Sequence, residues 1–83
     1  MPVYDRVMDH EWEDGVVRDY DDREGFGVID SLETPGACWF HYSMIEVPGR
    51  KSLFAGQLVR FTFEGDVEQD GFVFRALRVQ SSV

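Results

Sequence analysis

Two groups of residues in this sequence could do chemistry: the rings Phe26, Trp39, His41 and Tyr42, and the carboxylates Asp19, Asp21 and Asp22. His41 suits proton transfer best, but a general base needs a poised partner, and no nucleophile motif accompanies it. Cys38 and His41 are three apart in a stretch that reads as a strand. They therefore point to opposite faces and make no metal pair. The carboxylates fall in a turn, where solvation accounts for them. Gly25-Phe26-Gly27 would need a third glycine at position 30 and a following helix to cradle a phosphate; position 30 is Asp30. No enzymatic activity, metal or cofactor is expected. Stacking is what remains, because rings exposed together on adjacent strands form a contact surface.

The rings need strands to hold them, and the chain supplies short β-rich segments between turn residues. Residues 15–20 read as a strand and 21–25 as a polar turn. Residues 26–29 form a second strand, closed by a turn over 30–36 with Pro35-Gly36. A third covers 37–42. Residues 43–46 make one helical turn before Pro48-Gly49 stops it. The last two strands are 58–63 and 72–79, joined by a loop over 64–71. Five short strands without a long helical period predict a small all-β barrel. Alternation places Ile29, Cys38 and Phe40 inside and Phe26, Trp39 and His41 outside.

At 83 residues there is room for one small domain. No stretch approaches the ~18–20 apolar residues that span a bilayer. Met1 to Asp14 lacks the apolar run of a signal peptide, and the single cysteine excludes an internal disulfide. A cytoplasmic protein without membrane contact is expected. The net charge of −8 argues against a protein that tracks phosphates, because that work normally needs a basic stripe. The acidity is concentrated, however. Residues 1–24 carry −6 and residues 25–83 only −2.

Gly25-Phe26-Gly27-Val28-Ile29 resembles the first ribonucleoprotein motif of the cold-shock domain, K-G-F-G-F-I. Cys38-Trp39-Phe40-His41-Tyr42-Ser43 resembles its second, V-F-V-H-F-S. The frame is similar too: Gly15-Val16-Val17-Arg18 stands at the family's G-x-V-K, and Ser43-Met44-Ile45 at its S-A-I. Leu53-Phe54-Ala55-Gly56-Gln57-Leu58-Val59-Arg60-Phe61 follows L-x-x-G-Q-x-V-x-F, and Arg75-Ala76-Leu77-Arg78-Val79 follows Q-A-x-x-V. The likeness runs over about residues 15–80. It implies a five-stranded antiparallel OB-type barrel over residues 15–83, preceded by a short acidic arm of residues 1–14. The implied activity is that of a bacterial-type cold-shock protein binding single-stranded RNA or DNA, as a regulator or RNA chaperone. Phe26, Trp39, His41 and Tyr42 would stack on bases. Arg18, Arg23, Arg50, Lys51 and Arg75 are the cations placed to meet phosphates.

The departures from the family pattern are electrostatic. Asp19 stands where a surface Trp is usual, and Glu24 where a Lys precedes the glycine pair. Val28 replaces a ring, Asp21 an Asn, and Arg50 falls at a loop position often aromatic. Asp19 and Glu24 are therefore expected to weaken single-strand binding. They also open a second reading, an acidic module on the same barrel that binds a basic protein. The arm is a candidate intramolecular competitor, with Trp12 covering the sheet near Asp19.

Overall fold

Phe40 and Phe61 have no exposed surface, and the barrel closes around them with Val17, Ile29, Cys38, Ile45, Val59, Ala76 and Val79. The structure, a computed structural model, describes residues 11–48 and 52–82. Its strands are β1 (Glu13–Asp21), β2 (Phe26–Asp30), β3 (Cys38–His41), β4 (Leu58–Gln69) and β5 (Phe72–Ser81), with a 3-10 turn at Tyr42–Met44. They form a closed barrel in the order β1-β2-β3-β5-β4. Closure leaves no free sheet edge on the barrel wall.

The expected antiparallel pairing holds at every seam but one. β3 and β5 run parallel, meeting at Trp39 and Arg75. In a ring of five strands, directions cannot alternate all the way round, so one seam must be parallel. It falls where the segment between β3 and β4 crosses over, and a bridge from Ile45 to Val79 extends it.

Alternation sorts the side chains as the sequence indicates. Gly27 faces Phe40 and Ile29 faces Cys38 on the inside, while Phe26 faces His41 and Val28 faces Trp39 on the outside. Gly27 is required by space: a Cβ there would lie 2.4 Å from the Asp19 carbonyl oxygen and 2.7 Å from the Phe40 ring. Phe40 in turn stacks on Tyr20, with centroids 5.7 Å apart.

Strand ends shift from the sequence expectation by one or two residues, β3 running only over Cys38–His41 and the helical turn falling at Tyr42–Met44, and two differences bear on the site. β1 starts at Glu13, because Glu13 and Asp14 pair with Phe61 and Arg60 of β4. The arm's remaining residues 1–10 lie outside the described residues. The stretch 64–71 is no loop. β4 and β5 run on as a hairpin to a tight turn at Asp70 and Gly71, whose φ angles of +50° and +88° suit a type I′ turn. A bulge between Gly65 and Gln69, with Asp66 at φ +58°, bends the β4 side.

Candidate nucleic-acid interface

The rings form one continuous row on the outside of β2 and β3. Phe26 and Trp39 have centroids 6.2 Å apart at 22°, and Trp39 and His41 6.1 Å apart at 25°. His41 and Tyr42 follow at 4.6 Å and 38°. Each step has a backbone cause. Phe26 and His41 are cross-strand partners, Trp39 is two residues up β3, and Tyr42 opens the 3-10 turn. The Tyr42 N–H donates to the Gly25 carbonyl at 2.8 Å. Gly25, at φ +79°, also makes room for that ring, since a Cβ would come within 2.9 Å of it.

The rings are not equally available. Phe26 is 36% and Tyr42 47% exposed, His41 is half-buried, and Trp39 is only 8% exposed. Trp39 is thus the covered middle of the row, flanked by Phe26 and His41 along it and by Val28 and Arg75 on the neighbouring strands. Its indole N–H is buried without a hydrogen-bond partner among the described residues. The contact area for a planar ligand falls chiefly on Phe26, Tyr42 and His41. His41 Nδ1 accepts the Ser43 backbone N–H at 3.2 Å, with the Ser43 hydroxyl 2.8 Å away. In the neutral ring this puts the proton on Nε2 and leaves that N–H free to donate to a ligand.

The cations expected from the sequence fare differently. Arg18 holds Asp30 through Nε at 3.1 Å and Nη2 at 2.6 Å, and this carboxylate raises the guanidinium's pKa further. Arg75 is paired with Glu64 across the β4–β5 ladder. The Arg23 guanidinium makes no ion pair among the described residues; its backbone N–H donates to Asp21 Oδ1 at 2.9 Å, as does that of Glu24 at 3.0 Å. Asp21 therefore organises the turn that leads into Phe26. Arg50 and Lys51 lie outside the described residues. Asp19 sits on the outer face opposite Val28, one strand beyond Trp39, and Glu24 is exposed in the turn.

Trp12 does not cover the sheet near Asp19. Its ring packs under the guanidiniums of Arg60 at 4.3 Å and Arg78 at 4.8 Å, on the outside of β4 and β5. Asp19 is seven residues further along, roughly 20 Å at strand rise. Arg78 is anchored by Glu46 through two bonds of 2.7 and 2.9 Å, and Gln80 reaches the same carboxylate. Sequence reasoning missed this cluster; the available signal was two outward arginines on paired strands opposite a Trp that extends β1.

Sequence reasoning also missed a depression of about 500 Å³ at the other end of the β1–β2 ladder, lined by Val16, Leu32, Leu58 and the Arg18–Asp30 pair. Leu32 comes from the loop between β2 and β3, which carries no strand pattern. Among the described residues no His, Cys, Asp or Glu group could hold a metal ion, and no helix is long and apolar enough to cross a membrane.

Comparison with known proteins agrees with this geometry. Residues 13–79 match the family described as the 'Cold-shock' DNA-binding domain. Over 47 residues the chain is 41% identical to the cold shock-like protein CspD of Haemophilus influenzae, covering 57% of this chain and 65% of that protein. The barrel is similar to Drosophila Unr CSD456, with a TM-score of 0.67 over 94% of this chain and 29% of that one. At 20% identity this second likeness speaks for the fold alone. The chain spans just under two thirds of the first protein's length and less of the second's. Because the family match runs from the start of β1 into β5, the chain belongs to the cold-shock domain family, whose members bind nucleic acids.

Proposed function

We propose that this protein binds single-stranded RNA or DNA by stacking bases on the row Phe26, Trp39, His41 and Tyr42, and that it acts as a regulator or RNA chaperone. The observation that carries this reading is the row itself: four aromatic side chains in unbroken contact on the outside of a closed barrel. Such a platform is costly to leave in water and suits unstacked bases, each worth roughly 1–3 kcal/mol by alanine substitution. Duplex bases are already stacked, so the preference is for single strands. Arg23 and the segment with Arg50 and Lys51 supply the phosphate contacts, with Arg18 and Arg75 contributing once released from their carboxylates. Asp19 and Glu24 lower the affinity, one by replacing a ring with an anion and the other by placing an anion beside the turn.

The test is a titration of labelled pyrimidine-rich single strands and of a blunt duplex at several salt concentrations. The single strand is expected to quench Trp39 fluorescence and to bind tighter than the duplex. Equal or better duplex affinity overturns the reading. The variant carrying Asp19→Trp and Glu24→Lys is expected to bind single strands at least about tenfold tighter, which is about 1.4 kcal/mol. The Glu24 share of that gain shrinks with added salt, and the Asp19 share persists.

A second reading rests on the same ion pairs. With Arg18 and Arg75 occupied by carboxylates and the net charge at −8, the barrel presents a surface suited to a basic protein. No oligonucleotide binding at low salt, with retention of a basic partner, decides for that alternative.

A further inference from the structure

We infer that Glu64 is a built-in competitor for phosphate, occupying Arg75 at the edge of the aromatic platform and setting how tightly a single strand binds. The inference rests on the single-strand reading above and deepens it by assigning a control element to the site.

A cross-strand row runs through the register: Asp19 faces Val28, Val28 faces Trp39, Trp39 meets Arg75, and Arg75 faces Glu64. Of the described cations, Arg75 is the one that directly neighbours a ring of the platform by register. Its natural ligand in a bound complex is a backbone phosphate passing the Trp39 position. In the free protein Glu64 supplies that anion instead.

The pair is built differently from the other two arginine–carboxylate pairs among the described residues. Arg18 and Arg78 each place two nitrogens on two separate carboxylate oxygens. Arg75 converges Nε and Nη2 on one oxygen, Oε2 of Glu64. The second carboxylate oxygen and the second terminal nitrogen have no hydrogen-bond partner among the described residues. Both side chains are about one-third exposed, at 36% and 34%, so exchange with a solvent-borne anion needs no opening of the barrel.

The frame beneath is packed into the core. Phe63 and Phe74, the residues just before Glu64 and Arg75, pack edge to face at 5.6 Å against the core. The carboxylate is therefore held on a strand beside its target and needs no ordering to compete. Two consequences follow for binding. Exchanging a carboxylate for a phosphate on Arg75 gains little, and the freed Glu64 then repels the phosphate that displaced it. Arg75 is also already neutralised, so its phosphate contact adds little to the salt dependence of binding.

The test compares the full chain with Glu64→Gln, Arg75→Gln, the double variant and Glu68→Gln. Glu68→Gln removes the same charge from an exposed position four residues further along the hairpin. Affinity for a pyrimidine-rich single strand is measured from about 50 to 300 mM salt, with thermal melts to show that each variant is folded. Glu64→Gln is expected to bind about tenfold tighter at low salt and to steepen the log–log salt slope by about 0.7, the value for one further phosphate neutralised on a single strand. Arg75→Gln is expected to cost the natural chain less than about threefold and to abolish the whole gain in the Glu64→Gln background. Glu68→Gln is expected to change affinity less than about twofold. An unchanged slope in Glu64→Gln, a gain that survives Arg75→Gln, or an equal gain from Glu68→Gln overturns the competitor role while leaving the single-strand reading in place. Failure of the natural chain and of Glu64→Gln alike to bind at low salt overturns the single-strand reading, and this inference with it.

Discussion

Replacing Gly27 by alanine tests whether the platform stands on the packing described above. A Cβ at this position meets the Asp19 carbonyl oxygen at 2.4 Å and two Phe40 ring carbons at 2.7 and 2.8 Å. Carbon and carbonyl oxygen ordinarily meet at ~3.3 Å, so the methyl group is about 1 Å too close to backbone. Relief requires β1 to move away from β2, or Phe40 to leave the centre of the core. Overpacking of this kind costs about 1–3 kcal/mol, and a backbone clash on a closed barrel belongs at the upper end. Lower chain entropy in the unfolded alanine variant returns about 0.4–1 kcal/mol. The expected net loss is about 2 kcal/mol, or roughly 8–16 °C in melting temperature for a domain of this size. Gly65→Ala is the control, because a Cβ there finds the Phe74 ring at 3.4 and 3.5 Å, in ordinary contact. That variant is expected to lie within about 0.5 kcal/mol of the natural chain or slightly above it. Urea and thermal unfolding followed by tryptophan fluorescence measure both. A Gly27→Ala protein within 0.5 kcal/mol of the natural one, taken as the ~0.5 kcal/mol scatter of ordinary surface changes, refutes the packing argument. So does a Gly65→Ala protein damaged as badly as Gly27→Ala.

Phe26→Ala and Tyr42→Ala are each expected to weaken single-strand binding about 5- to 150-fold, as one lost stacking contact of about 1–3 kcal/mol should. Phe54→Ala, which removes an exposed ring outside the row, is expected to change it less than about twofold; fluorescence anisotropy reads all three. The Cys38 thiol is buried, and desolvation pushes its pKa up to about 12 from the usual 9.0. It should therefore resist a disulfide reagent at pH 8 in the folded protein and react fully in urea. Because the folded state keeps the thiol proton longer, stability from this group is intact below about pH 9 and is lost as pH rises toward 12. A Cys38→Ala variant should show a shallower decline over that window in pH-dependent unfolding. Trp12→Ala removes the ring shared by Arg60 and Arg78 and is expected to cost about 1–2 kcal/mol in thermal melts.

What could be read from the sequence was what alternation and glycine placement encode. Ile29, Cys38 and Phe40 went inside because they alternate with larger or polar neighbours, and the barrel wall bears this out. The hairpin beyond Phe63 is not legible as strand in the sequence because both of its faces meet water. Glu64, Asp66 and Glu68 leave no apolar period to follow, although Asp70-Gly71 is itself a strong hairpin signal. The rings could be placed on one face, yet the burial of Trp39 could not. It depends on which side chains flank it on β2 and β5, and the parallel seam that brings Arg75 alongside is a property of closure.

The cations show most clearly where sequence reading ends. A motif tells which arginine stands near the platform but not whether a carboxylate has already taken it. Arg18 and Arg75 look equally available on paper, and each is occupied by an acid from the adjacent strand. This pairing also bears on the charge of −8. A uniformly acidic surface would repel a single strand from every side. Here several carboxylates are already engaged: Asp21 organises backbone at the turn before Phe26, and Asp30 and Glu64 each neutralise an arginine. Asp19 and Glu24 are the two beside the platform with no such role among the described residues. Like Asp21, both are positions at which the chain departs from the family pattern by gaining an anion. Net charge therefore overstates the repulsion a strand would meet over the rings. The local balance there turns on Asp19, Glu24 and the Arg75–Glu64 pair, and substitutions at those positions should move affinity far more than equal changes of charge elsewhere on the barrel.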